Sequence, residues 1–276
     1  MNARFGANPC ACGGLRGPLL GRRGLMVGAA LLACGPARAQ TAGPANPALV
    51  ADLVVASHIL FNQGVVDAFG HISARHDRAP DRFLMSRSMA PGLVTAADIM
   101  EFDLDGAAID PRGRAIFLER FIHAEIYRGR PDVTSVVHSH SPSVIPFGIT
   151  GVELRPVYHM SGFLGGGVPV FEIRDAGGPA TNMLVSNAAL GHALAATLGP
   201  HRVALMRGHG SVAVGANIRQ ATFRAVYTEL NARMQAEALR LGPPTYLNDA
   251  EAAAANDTDD VLMGRAWELW VRQAAG

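Results

Sequence analysis

Thr134-Ser135-Val136-Val137-His138-Ser139-His140 is an apolar, β-branched run that ends in two histidines separated by one residue. Read as a β-strand, it places alternate side chains on one face, so His138 and His140 present two imidazoles side by side. Two neutral imidazoles on a rigid element make half of a zinc-type site. The other half lies elsewhere in the chain. Glu119 stands upstream in a helical pattern, and His209 stands downstream in Arg207-Gly208-His209-Gly210, whose glycines allow a tight path and a close ligand approach. Three histidines and a carboxylate from separate elements suit a divalent metal with an open coordination position.

Composition limits the rest. The chain has 276 residues, 49% of them hydrophobic and 17% charged, enough for a substantial core. A formal net charge of +1 and the lack of any basic run argue against a nucleic-acid partner. No uninterrupted apolar segment of the mature region is long enough to read as a membrane span.

The first 39 residues read as an export signal rather than as part of the fold. Arg22-Arg23 precedes an apolar run from Leu25 to Cys34, and Ala37-Arg38-Ala39 supplies small residues at the cleavage-determining positions. This pattern resembles a twin-arginine signal cut before Gln40, and it implies a periplasmic protein whose domain spans residues 40 to 276. Leu31-Leu32-Ala33-Cys34 offers a second reading, a lipoprotein anchored through Cys34. All three cysteines (Cys10, Cys12 and Cys34) fall in this leader, so a chain starting at Gln40 has no thiol and must build any metal site from His, Asp or Glu.

Asn46-Pro47 reads as an N-cap with proline at the first helical position, followed by an apolar stripe from Leu49 to Phe61. Strands are predicted over residues 70 to 75, 82 to 86, 99 to 103, 169 to 173, 203 to 206 and 211 to 214. Helices are predicted over residues 118 to 128, over 187 to 198 with Ser186 as the cap, over 218 to 241 and over 261 to 273. The first of these puts Glu119 and His123 four apart on one face, where the bland reading is a surface ion pair. Grouped strands flanked by helices point to one α/β or α+β domain.

From about Pro47 to Leu241 the chain resembles the class II aldolase/adducin family. The resemblance rests on Gly70-His71-Ile72-Ser73, Glu119, Pro131-Asp132-Val133 leading into His138-Ser139-His140, and Arg207-Gly208-His209-Gly210. It implies a central mixed sheet flanked by helices, with His138, His140 and His209 binding the metal. The metal is normally zinc, with Mn2+, Co2+ or Fe2+ as other possibilities. It implies that Glu119 is the catalytic acid/base, and that the protein is a homotetramer with active sites at subunit boundaries.

Departures from the family's aldolases narrow the substrate. Those enzymes hold a phosphate with an asparagine after the first glycine and with small hydroxyl residues before the acid; here those positions hold His71, Phe117 and Leu118. A phosphorylated sugar is therefore not the expected substrate. Ser86-Arg87-Ser88 offers a guanidinium and two hydroxyls that suit a carboxylate, with a solvated surface arginine as the alternative. His71, Ser86, Arg87 and Ser88 are the candidate substrate contacts, and Tyr158 or His159 is a candidate second proton donor.

Segments 70 to 75 and 83 to 88, with Tyr158-His159-Met160, resemble the branch that decarboxylates hydroxylated aromatic acids. The expected activity is a metal-dependent lyase that decarboxylates or retro-aldol-cleaves an unphosphorylated hydroxy-aromatic or hydroxy-keto acid. An iron-dependent oxygenase and a non-catalytic adducin-like module are the alternatives.

Overall fold

The computed structural model describes residues 43 to 274, so the arginine pair, the apolar run and both proposed processing sites lie outside the described residues. Helix α1 (Pro47–Asn62) begins where the sequence places it: the Asn46 side chain accepts from the Ala48 N–H and proline occupies the first turn. Seven strands follow: β1 (His71–Arg75), β2 (Arg82–Ser86), β3 (Ile99–Asp103), β4 (Ser135–Ser139), β5 (Val170–Phe171), β6 (Val203–Met206) and β7 (Gly210–Gly215). They form a single sheet in the order β3-β2-β1-β4-β7-β6-β5, antiparallel at every pairing but the parallel β5–β6 edge. The expected mixed sheet is thus present.

Helices cover both faces. They are α2 (Arg120–Gly129), the short α3 (Ile145–Ile149) and α4 (Arg174–Gly177), α5 (Ala188–Leu198), α6 (Ile218–Leu241) and α7 (Asp249–Ala274). One core joins α1, α6 and α7 to Ile72, Leu84, Val137, Leu205 and Ala213. The other joins α2 and α5 to Phe83, Met85, Val136, Ala204 and Val212. Successive strand residues alternate between these cores, as a pleat requires, and β4 and β7 are buried along their whole length because helices cover both sides. Among the described residues, no helix is long and apolar enough to cross a membrane.

Several sequence expectations need correction. Helix α2 starts at Arg120, leaving Glu119 just before its first turn as a cap residue with no capping hydrogen bond of its own. His123 is wholly buried and binds His71 and Ser73, so the surface ion pair with Glu119 does not exist. The cap of α5 is Asn187, whose side chain accepts from the Leu190 N–H, not Ser186. The last helix begins at Asp249 rather than residue 261, because the alanine-rich stretch 252 to 255 propagates a helix readily.

Candidate active site

The register of the sheet builds the site. His71 on β1 pairs with His138 on β4, and paired residues share a face, so both imidazoles point toward α2 with Ser73 and Val136. His140 follows two residues after His138, just past the end of β4. His209 sits on the tight connection between β6 and β7, where its N–H bonds the Met206 carbonyl and Gly208 takes φ +60°. Gly210 then passes so close to the Ser139 backbone that a Cβ would overlap its carbonyl, so only glycine lets His209 approach the pair.

Glu119, His138, His140 and His209 thereby converge, each offering one ligand atom within 4.8 Å of the others. His209 Nε2 lies 3.0 Å from His140 Nε2, and Glu119 Oε2 lies 3.5 Å from His138 Nε2 and 3.4 Å from His209 Nε2.

Main-chain groups behind the cluster aim it. His138 Nδ1 donates to the Ser211 carbonyl at 3.1 Å, and His209 Nδ1 donates to the Met183 carbonyl at 2.9 Å. An Nδ1–H held this way leaves Nε2 as a bare lone pair, the form a metal ligand needs. Among the described residues His138 Nε2 is buried without a hydrogen-bond partner, which fits a divalent cation at the centre of the four donors. Met183 adopts φ +71°, a conformation most non-glycine residues avoid, and two residues on the Val185 N–H donates to Glu119 Oε1 at 2.9 Å. Segment 183 to 185 therefore grips two of the four ligands. Nothing in the sequence marks it, because it acts through its backbone.

Electrostatics agree with a cation site. Burial alone would raise the Glu119 carboxyl pKa, yet positive charge at His138 and His209 outweighs it and holds the group well below the usual carboxylate range. A metal ion acts in the same direction. Burial, with His138 and His209 nearby, pushes His140 down to about 4, and burial also takes His123 down to about 3 and His71 well below its ordinary value. These imidazoles are neutral at physiological pH.

Beside the cluster lies a cavity of about 380 Å³ lined by Phe69, His71, Ser88, Phe117, Glu119 and His140, among others. Its walls are mainly apolar, and the His71 and Phe117 rings pack with centroids 4.4 Å apart. Larger cavities of 560 and 590 Å³ lie elsewhere and include none of the three clustered histidines.

Of the expected substrate contacts, His71 and Ser88 line this cavity, whereas Ser86 and Arg87 do not. Arg87 Nε donates to Asp98 at 2.6 Å instead. Tyr158 and His159 lie outside it as well. His159 faces the 590 Å³ cavity with Phe223, Tyr227 and Trp270, and the buried Tyr158 hydroxyl has no partner among the described residues.

Residues 51 to 236 match the family model of the class II aldolase and adducin N-terminal domain. The chain belongs to the class II aldolase and adducin family. It is 39% identical to the decarboxylase tropJ of Talaromyces stipitatus, over 78% of this chain and 90% of that one. It is 32% identical to a 3,4-dihydroxyphthalate decarboxylase of a Terrabacter species, over 70% of this chain and 81% of the other. An aldolase II superfamily protein of Pseudomonas syringae superposes with a TM-score of 0.70 at 21% identity, covering 85% of this chain and 94% of its own, which shows the shared fold. As a class II aldolase family member, the chain carries its cluster of possible metal ligands where β4, the β6–β7 turn and the start of α2 meet.

Proposed function

We propose that this protein is a divalent-metal-dependent decarboxylase of an unphosphorylated hydroxy-aromatic acid. Decarboxylases and class II aldolases are both carbon–carbon lyases, and the chain is an enzyme of that kind. The observation that carries the substrate class is the placement of an apolar-walled cavity directly beside Glu119, His138, His140 and His209, with the His71–Phe117 ring pair in its wall. Apolar walls suit an aromatic ring and offer a phosphate dianion little. The similarity to named decarboxylases supports decarboxylation over retro-aldol cleavage.

His138, His140 and His209 would hold the ion through Nε2, joined by Glu119 Oε2, and zinc suits that donor set. Bound there, it would act as a Lewis acid on chelating substrate oxygens and stabilise the charge left when the carbon–carbon bond breaks. Glu119 is the group that moves the proton. Ionised at rest, its carboxylate takes a proton from a substrate hydroxyl or acid and returns it to the ring carbon as carbon dioxide departs. His71 and Ser88 orient the substrate. All four ligand positions are filled, which weighs against a non-catalytic module.

Phe69 and Leu118 at the cavity stay 65% and 60% exposed and suit cover by a neighbouring subunit, as the homotetramer expected from the family resemblance would supply. The twin-arginine leader would place the enzyme in the periplasm. The test is metal analysis of the purified protein followed by mass-spectrometric screening of 3,4-dihydroxyphthalate, related hydroxybenzoic acids, hydroxy-keto acids and sugar phosphates. Loss of carbon dioxide from an aromatic acid is the expected result. Preference for a sugar phosphate, or consumption of oxygen with the acid, would overturn the proposal.

A further inference from the structure

Behind the cavity wall, a chain of hydrogen bonds runs inward from His71. His71 Nδ1 lies 2.7 Å from His123 Nε2, His123 Nδ1 lies 2.6 Å from Ser73 Oγ, and Ser73 Oγ lies 2.7 Å from the Tyr127 hydroxyl. All four side chains are buried. His71 and Ser73 share a face of β1, and His123 and Tyr127 stand one turn apart on α2, so sheet register and helix pitch together make the line. None of the proposed ligand chemistry uses His123, Ser73 or Tyr127.

The hydrogens of this chain can be placed by counting, because each link needs one donor and one acceptor. The hydrogen of the Tyr127 hydroxyl has no acceptor other than Ser73 Oγ among the described residues. Tyr127 therefore donates to Ser73, Ser73 donates to His123 Nδ1, and His123 Nε2–H donates to His71 Nδ1. The remaining ring nitrogen of His71, Nε2, carries the hydrogen. Run the other way, the chain leaves the buried phenol hydrogen without an acceptor, a cost that a hydrogen bond does not return.

We infer that His123, backed by Ser73 and Tyr127, is a positioning residue that fixes His71 as the Nε2–H tautomer, so that His71 offers the cavity a hydrogen-bond donor matched to a substrate oxygen. The inference rests on reading that cavity as the substrate pocket. It adds a specificity: an acid with a phenolic or carboxylate oxygen facing His71 is accepted, and an analogue with an amino group there meets donor against donor. The chain orients and does not feed protons. Passing the His71 hydrogen onward would leave a phenolate at Tyr127, whose pKa burial pushes well above the ordinary tyrosine value.

The experiment is solid-state 15N NMR of the metal-loaded, histidine-labelled protein, with the His71 signals assigned by their loss in His71→Gln. The expected spectrum has a protonated Nε2 and a bare Nδ1 at His71; a protonated Nδ1 overturns the inference. Ser73→Ala removes the partner of His123 Nδ1, which is then unpaired whichever way the His71–His123 hydrogen bond runs, freeing that pair to adopt either direction. That variant should show mixed His71 tautomers at unchanged metal content, with kcat/KM roughly tenfold lower on any acid the enzyme turns over. An unchanged tautomer together with unchanged kcat/KM also overturns it. If no acid is turned over while His71 shows Nε2–H, the decarboxylase reading fails and the tautomer assignment stands.

Discussion

The Nε2 atoms of His140 and His209 face each other at 3.0 Å. With His209 Nδ1–H committed to the Met183 carbonyl, the His209 Nε2 is a lone pair, and a positive centre shared with His140 relieves the crowding. We expect about one divalent ion per chain. Replacing His138 and His140 by alanine should abolish binding, as read by metal analysis of the purified variant. Full occupancy in that double variant would sink the assignment. Stripping the wild-type ion should also lower stability, by about 2.7 kcal/mol for an ion present at about a hundred times its Kd.

Glu119→Gln should keep both metal and fold. Its amide oxygen can still accept the Val185 N–H, and three histidines remain to hold the ion. What it loses is the group that carries the proton, and turnover should fall by about 100- to 10,000-fold with little change in substrate affinity. Normal turnover in this variant would move the role elsewhere, with Tyr158 or His159 next in line.

Arg87 is tied to Asp98, whose carboxyl is held below the usual range by hydrogen bonds from Thr95 and Arg87. Arg87→Ala should therefore cost no more than about 1 kcal/mol in stability, the scale of a partly exposed ion pair. KM for the substrate acid should not move. A tenfold rise in KM would reinstate Arg87 as a carboxylate clamp.

His123 gives stability a pH dependence of known sign. Its folded pKa of about 3 lies below the ordinary 6.5, so between those values the unfolded chain binds a proton that the folded chain does not. Stability should be full above about pH 6.5 and fall as pH drops toward 3, His123 contributing about 1.4 kcal/mol per pH unit at full slope. Urea unfolding across that range should be less steep in pH for His123→Gln than for wild type. Equal slopes would mean that His123 is charged in the folded protein.

The proposed leader makes a separate prediction. Amino-terminal sequencing of the exported protein should begin at Gln40. A start at Cys34 with the mass of a lipid would favour the lipoprotein route, and an uncut cytosolic chain would overturn both.

The helix bounds 218 to 241 and the strand bounds 82 to 86, 99 to 103 and 203 to 206 were legible because each segment carries its own period and its own stop. So were the four residues that converge at the site, because they stand on motif positions of the family that the chain resembles, and no cysteine follows Cys34 to offer another donor. Other features were decided by partners far away in sequence. Arg87 reads as a free guanidinium until the fold brings Asp98 to it, and His123 reads as a surface residue until β1 packs against α2.

The grip on His209 and His138 comes from the carbonyls of Met183 and Ser211, 26 and 73 residues away along the chain. Every residue carries a carbonyl, so no side-chain pattern announces which ones will be used. The sequence by itself determined which atoms can bind; the tertiary structure decided where their lone pairs point, because that direction is set by main-chain groups identical at every position.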